Sequence, residues 1–371
     1  MHTNFLDTPW PAVGNAIGLV RIWDAYGNRD GSGTGAQWSD VNPAPGTYDW
    51  SGLDARVDAA RSLGADVVYV LGGRTPRWAS KRPRDESPYG EPGQPAEPKT
   101  MTIWQQWVRD VTTRYQGRIK YWEIWNEPDL RGFYTGSPDT LAQTAFATIK
   151  VTDPTNVVVS PGVNGYAGPG YLDYYLSQGG GNYADVIAYH GYLEDAPEGE
   201  VTWRTPAIRS VLQRYGQGSK PLWNTEQGWV GSEPIYGPEL SKGYVARPYL
   251  LNWALGFDAF CYYTWDNGSN LILFTGPDRV TLTPAGLAYR EVASWMQGAV
   301  IESLTTDGDG VYIATLRYPD DHRGRAVWKP GGSLIFTIPP TWGATVARDL
   351  EGGTTPVAES VAIGEAPVLL E

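Results

Sequence analysis

The sequence has almost none of the residues from which redox and metal sites are built. One cysteine occurs in 371 residues, Cys261, so no intrachain disulfide can form. It lies in the apolar run Phe260-Cys261-Tyr262-Tyr263 and reads as a buried structural thiol, not a nucleophile. Only three histidines are present, His2, His190 and His322, and they lack zinc-ligand spacing. A Gly-x-x-x-x-Gly-Lys-Ser/Thr phosphate loop and a Gly-x-Ser-x-Gly esterase turn are both missing. Gly31-Ser32-Gly33-Thr34-Gly35 does not fit a dinucleotide fingerprint and reads as a loop. No metal and no cofactor is therefore expected. No segment reaches the about 18 continuous apolar residues of a membrane span. The formal charge of -12 opposes both a phosphate backbone and an anionic membrane surface. The start, Met1-His2-Thr3-Asn4, has neither a basic region nor an apolar core, so no signal peptide is visible. A processed secreted protein would look the same; the expected location is outside the cytoplasm, with the cytoplasm left open, and the oligomeric state is open too.

What is abundant is aromatic residues with a polar handle. There are 17 Trp and 23 Tyr against 7 Phe, and such rings suit ligands with an apolar face and a polar edge, as sugars have. Up to about residue 295, apolar runs alternate with helical patterns. The strand candidates are Leu19–Trp23, Asp66–Leu71, Ile119–Trp125, Val157–Ser160, Asp185–Tyr189, Pro221–Thr225 and Ala259–Thr264. They are near-continuously apolar, as parallel strands covered on both faces should be. Ser51 can cap a helix with Leu53, Val57, Ala60 and Leu63 on one face, and Gly64 stops it. Trp104, Trp107, Val108, Val111 and Tyr115 share a second face, and a third helix follows Ser137-Pro138-Asp139.

This alternation predicts a parallel sheet, open or closed. Closure into a (β/α)8 TIM barrel needs eight strands, and only Met1–Phe5 is left to supply the first, so the chain is expected to begin inside strand one and the natural protein to extend upstream. The Pro-rich segment Arg74–Lys99, with Pro76, Pro83, Pro88, Pro92, Pro95 and Pro98, is long enough to be functional or disordered and would lie on the catalytic face. After Trp295 come the short β-like runs Val300–Ile301, Val311–Leu316, Ala326–Trp328, Leu334–Ile338, Ala344–Leu350 and Val361–Leu370. The expected division is a barrel over residues 1–295 and a small antiparallel, β-sandwich-like domain over 296–371.

Two strand ends carry chemistry. Tyr121-Trp122-Glu123-Ile124-Trp125-Asn126-Glu127-Pro128 is an apolar strand that stops abruptly, which puts Asn126 and Glu127 at its C-terminal tip. Pro221-Leu222-Trp223-Asn224-Thr225-Glu226-Gln227-Gly228-Trp229 repeats the pattern with Glu226. Catalytic side chains gather at such tips. Two carboxyl groups, one protonated and one ionised, are what cleavage of a glycosidic bond needs. Each candidate also has a structural alternative: a strand-tip Glu can form a surface ion pair, Arg21 a structural one, and His190 can sit satisfied in the core. Asp24 and Asp129 read as loop or cap residues, and Glu123, on the opposite face from Ile124, reads as structural.

The Trp-Asn-Glu-Pro tip and the later Glu resemble clan A of the glycoside hydrolases. With Leu19-Val20-Arg21-Ile22-Trp23-Asp24, Tyr48-Asp49-Trp50-Ser51, Thr75-Pro76-Arg77-Trp78-Ala79 and Arg114-Tyr115, the chain is most similar to glycoside hydrolase family 39. The resemblance implies a retaining enzyme with Glu127 as acid/base and Glu226 as nucleophile. It implies that Asn126 binds the sugar 2-hydroxyl and that Arg21 holds the nucleophile ionised. It also implies that His190 and Tyr192 border the nucleophile and that Trp265 is a sugar platform, with Trp78 and Trp229 as further platform candidates. The implied partner is a carbohydrate, of unspecified sugar and linkage. Two alternatives stay open: a transglycosylase using the same glutamates, and a barrel that binds polysaccharide without cleaving it.

Overall fold

The computed structural model describes residues 1–10, 13, 16–87, 90–164, 168–192, 196–229, 237–266 and 272–371. Among these residues seven parallel strands fall where the apolar runs lie: β1 (Leu19–Ile22), β2 (Asp66–Val70), β3 (Tyr121–Glu123), β4 (Val157–Val159), β5 (Ile187–His190), β6 (Leu222–Gln227) and β7 (Ala259–Tyr262). They form two sheets, β1-β2-β3-β4 and β5-β6-β7. Parallel bridges Val159↔Val186 and Val163↔Tyr189 join the first sheet to the second beyond β4. At the other edges Met1 and His2 lie between β1 and β7. The Arg21 amide donates to Met1 O (3.0 Å), the His2 amide to Tyr262 O (3.1 Å) and the Trp265 amide to His2 O (3.0 Å).

Among the described residues eight α-helices punctuate these strands: α1 (Trp38–Val41), α2 (Ser51–Ser62), α3 (Met101–Arg114), α4 (Pro138–Thr152), α5 (Gly168–Ser177), α6 (Thr205–Arg214), α7 (Pro238–Ala254) and α8 (Pro284–Met296). The α3 face Trp104, Trp107, Val108 and Val111 is buried, as its 3.6-residue spacing requires. Ser51 is not a cap: its hydroxyl donates to Asp49 Oδ1 (2.6 Å), and Trp50 takes the position before the helix. Gly64, at φ +74°, ends α2 in the left-handed region that a side chain disfavours.

The Pro-rich segment is braced by its own backbone. The Thr75 amide donates to Gln94 O (3.0 Å), the Lys81 amide to Glu97 O (2.9 Å) and the Lys99 amide to Ala79 O (2.7 Å). Pro88 lies outside the described residues.

Eight antiparallel strands follow α8: β8 (Val300–Thr306), β9 (Tyr312–Arg317), β10 (Arg323–Trp328), β11 (Leu334–Thr337), β12 (Val346–Arg348), β13 (Thr354–Pro356), β14 (Ser360–Ile363) and β15 (Val368–Leu370). The run expected over Val361–Leu370 is two strands, because Gly364 to Pro367 interrupt it, and β13 has no apolar signature at all. Six strands pair in the order β13-β12-β15-β10-β9-β8, and β11 pairs with β14. Alternation along β10 gives the large sheet two buried faces. Ala326 and Trp328 join the main core, while Val327 packs with Phe336, Ile338 and Ile363.

One buried ionic tie holds this sheet to the rest. Arg247 of α7 pairs with Glu198 (3.2 Å) and Glu365 (3.1 Å), and the Trp328 indole donates to Glu198 Oε1 (2.7 Å). Removing one member of a buried pair strands the other charge. Arg247→Met should therefore lower the stability by about 3 kcal/mol, read as a shift of the urea midpoint. A wild-type midpoint would show that the tie contributes nothing.

Candidate active site

The two parallel sheets share an interior that changes from apolar to ionic within one pleat. Val68, Val159, Val186, Ala188 and Trp223 form an apolar cluster with Leu19, Tyr121, Val157 and Ala259 against it. Side chains two apart on a strand face the same way. Two residues on from Leu19, Tyr121, Ala188 and Trp223 stand Arg21, Glu123, His190 and Thr225, all fully buried. Buried charges must be paired, and here they pair with one another.

Arg21 is the hub. Its Nε and Nη2 donate to the two oxygens of Glu123 (2.6 and 2.8 Å). Nη1 donates to Glu226 Oε2 (2.6 Å), and Nη2 also donates to Asn126 Oδ1 (2.9 Å). Burial opposes the guanidinium charge, but the Glu123 and Glu226 carboxylates hold its pKa above the usual arginine value. Thr225 Oγ1 donates to Glu123 Oε1 (3.2 Å). Glu226 is not beyond the strand end but inside β6, next to inward-facing Thr225. The β6 register slips between Asn224 and Gln227, and such a bulge lets consecutive side chains turn to one side. The Tyr192 hydroxyl donates to Glu226 Oε1 (2.9 Å), so both carboxylate oxygens accept hydrogen bonds. Burial pushes the Glu226 carboxyl up, while the His190 and Arg21 charges pull it down.

Glu127 follows β3 with φ +39°, a conformation that costs a residue with a side chain and is met chiefly where surrounding structure enforces it. Its amide donates to Gly162 O (2.8 Å). Its Oε1 accepts from Asn164 Nδ2 (2.9 Å) and lies 2.8 Å from His190 Nδ1. The resemblance put His190 beside the nucleophile; in the structure a His190 ring nitrogen lies within 4.8 Å of a Glu226 oxygen, and the hydrogen bond of the ring goes to Glu127. Gly162 is the reason. It lies between the two strands, and a Cβ there would come within 2.3 Å of His190 Nε2 and 2.7 Å of Glu123 Oε1. Without that Cβ the imidazole crosses to Glu127. Burial opposes a charge on His190, but the Glu226 carboxylate, Glu123 at 3.9 Å and the hydrogen bond to Glu127 push its pKa up to about 9.

One oxygen of Glu127, one of Glu226 and a ring nitrogen of His190 lie within 4.8 Å of one another. The Arg21 guanidinium on Glu226 makes this a poor place for a metal ion. Asn126 is buried, and its Nδ2 has no hydrogen-bond partner among the described residues.

Of the expected site residues, Arg21, Asn126, Glu127, His190, Tyr192 and Glu226 come together. The three tryptophans make other contacts. Trp265 is 1% exposed and packs against Trp10, Phe274 and Tyr289 (ring centroids 5.5, 5.2 and 5.9 Å), so it offers no open face to a sugar here. Trp78 is half-buried and its indole donates to Asn42 O (2.9 Å). Trp229 stands edge-on to Tyr244 (4.4 Å). Sequence reasoning set Glu123 aside and passed over Asn164, Thr225 and Tyr263. The Tyr263 hydroxyl donates to Asp24 Oδ2 (2.9 Å) and accepts from Asn4 Nδ2 (3.0 Å). A charged residue inside an apolar strand was the available signal for Glu123; Asn164 lies in a loop and gave none.

Residues 98–238 match the family model described as glycosyl hydrolase catalytic core, which spans both glutamates. The chain carries a glycosyl hydrolase catalytic core and is a glycoside hydrolase. Its fold is similar to that of a family 39 glycoside hydrolase from the gut symbiont Bacteroides cellulosilyticus (TM-score 0.76, 18% identity, 96% of this chain and 76% of that one). It is also similar to a family 39 β-xylosidase from Caulobacter crescentus (0.58, 16%, 95% and 88%). A third similar structure is a family 30 subfamily 8 xylanase from Clostridium acetobutylicum (0.62, 13%, 96% and 89%). No helix among the described residues is long and apolar enough to cross a membrane.

Gly162 gives the site its first test. In Gly162→Ala the added methyl must displace His190 or Glu123, and misplacement of about 1 Å near reacting groups can cost about 100-fold in rate. The glycosidase should lose activity by about that factor with a near-native melting temperature. Unchanged kcat and pH profile would separate His190 from the chemistry.

Proposed function

We propose that this glycoside hydrolase cleaves O-glycosidic bonds of an oligo- or polysaccharide with net retention, by double displacement. The observation that carries the reading is the approach of Glu127 and Glu226, an oxygen of each within 4.8 Å. Retaining enzymes hold their carboxyl groups about 5–5.5 Å apart, and inverting ones about 6.5–9.5 Å to seat a water between. The setting suits a closed (β/α)8 barrel in which Met1–His2 serves as the strand between β7 and β1, with residues 296–371 as a separate β domain.

The roles follow from the partners. Glu226 accepts from Arg21 on one oxygen and Tyr192 on the other, as an ionised nucleophile would. It attacks the anomeric carbon while Glu127 gives a proton to the departing oxygen, so the carbon–Glu226 bond forms as the glycosidic bond breaks. Glu127 then takes a proton from water. That water adds to the same carbon, and the bond to Glu226 breaks. Asn126 has its oxygen fixed by Arg21, and its unpaired buried Nδ2 is a ready donor to a substrate hydroxyl next to the reacting carbon.

Similar structures described as a β-xylosidase, a xylanase and a glucosidase make aryl xylosides and glucosides the first probes. Labelling with 2-fluoro or epoxide glycosides, read by peptide mass spectrometry, should leave a glycosyl adduct on Glu226. An adduct elsewhere would overturn the assignment, and inverted products would overturn retention. Glu127→Gln should slow substrates with poor leaving groups by about 100-fold or more and activated aryl glycosides far less, since general acid catalysis supplies about 100- to 10,000-fold. Equal losses on both would remove Glu127 from the acid role.

A further inference from the structure

Glu127 meets two hydrogen-bonding groups, and both stand at the same oxygen. Asn164 Nδ2 donates to Oε1 (2.9 Å), and His190 Nδ1 lies 2.8 Å from that atom. Among the described residues no side chain hydrogen-bonds to Oε2. We propose that Asn164 is a positioning residue for the acid step: with His190 it occupies Oε1, so that the acid carries its proton on Oε2. This deepens the acid/base reading of Glu127 given above and rests on it.

The donor chemistry decides which oxygen is which. An amide nitrogen only donates. On the imidazole, Arg21 Nη2 donates towards Nε2 (3.4 Å), which makes Nε2 the acceptor nitrogen and puts the ring hydrogen on Nδ1. A doubly protonated ring would also carry a hydrogen there, so the donation to Glu127 does not depend on the charge of His190. Two N–H groups therefore converge on Oε1. A hydroxyl at that position would set its own hydrogen among theirs, with no acceptor to receive it. A carbonyl oxygen has two lone pairs and accepts both donors. Oε1 is thus the carbonyl end of the acid, and Oε2 is its hydroxyl.

Asn164 can hold this arrangement because its own backbone is pinned. The His190 amide donates to Val163 O (2.8 Å), and the Asn164 amide donates to Asp129 Oδ1 (3.0 Å). Asp129 lies two residues beyond Glu127, so Asn164 and the carboxyl it orients are fixed to one short stretch of chain. In the first step the Oε2–H bond breaks as the proton passes to the departing oxygen. In the second, Oε2 takes a proton from the attacking water. One oxygen serves both transfers, and the carboxyl need not turn between them.

The test compares kcat/KM of wild type and Asn164→Asp on two aryl glycosides, one with a poor leaving group and one activated. The variant keeps the shape of Asn164 and replaces its amide donor with oxygen. On the poor leaving group kcat/KM should fall by about 100-fold, the scale of loss when a reacting group is misplaced by about 1 Å. The activated substrate should lose far less, since its departure needs little help from an acid. A loss as large on both, as a purely structural role would give, or no loss on either, would overturn the proposal. Glu127→Gln run alongside keeps the two failures apart: if it shows the leaving-group dependence and Asn164→Asp does not, the acid reading stands and the role of Asn164 falls. Should Asn164→Asp fail to fold, neutron diffraction from deuterium-exchanged crystals of the wild-type protein decides without any substrate. Deuterons on Asn164 Nδ2 and His190 Nδ1, both pointing at Oε1, are expected. A deuteron on Oε1, a bare Nδ1, or Asn164 turned with its oxygen to Glu127 overturns the assignment, whatever the stereochemistry of the reaction.

Discussion

The structure turns on one buried guanidinium. Arg21 is fully removed from water, and a charge in that position is tolerated only with close, well-oriented partners. Its planar fork reaches β3 through Glu123, the β3 tip through Asn126 and β6 through Glu226. Those elements belong to two different sheets, so Arg21 is satisfied only when both sheets face a common interior. A buried ion cluster of this kind need not add net stability over an apolar core. What it adds is a single allowed arrangement, because any slip would leave a charge without a partner. The catalytic glutamates of the proposed reaction inherit that constraint.

Much of this was legible in the residues, for an identifiable reason. Apolar runs of four to seven residues, separated by helices with caps and glycine stops, located the seven parallel strands of the described residues. Their interior Val and Ala residues leave no other stable burial. Glu127 and Glu226 stood out because a lone carboxylate at the end of such a run has no packing role. The misses have physical causes as well. Glu226 lies inside β6 because a register slip turns it inward, and a slip leaves no mark in composition. His190 meets Glu127 because Gly162 clears its path, a relation between residues on different strands that spacing along the chain does not show. Glu123 was dismissed on alternation that was itself correct. It does face away from Ile124, but the face it joins is the ionic one. Trp265 was read as a platform from its place after a strand, whereas Trp10, Phe274 and Tyr289 close over it.

The tail shows a different limit. Alternation within β10 was readable, but its consequence was not: Trp328 uses its indole N–H on Glu198, a residue in the segment that follows β5. The same segment carries Tyr192, whose carbonyl accepts from buried Arg204 (3.1 Å) and whose hydroxyl holds Glu226. Glu198 in turn is paired with Arg247 of α7. The C-terminal sheet is thus bonded, through Trp328, to the segment that follows β5 at Glu198.

These ties also account for the strain at Glu127. A positive φ at a residue with a side chain is held only where neighbours outweigh its cost. The Glu127 amide is fixed to Gly162, and its carboxyl to Asn164 and His190. His190 also lies beside Glu123 (3.9 Å) and near Glu226, and Arg21 orients both of those carboxylates. Relaxing the backbone would therefore cost the hydrogen bonds of Glu127. The strain persists because the proton donor, the nucleophile and the buried cation belong to one hydrogen-bonded unit, in which no member can move alone.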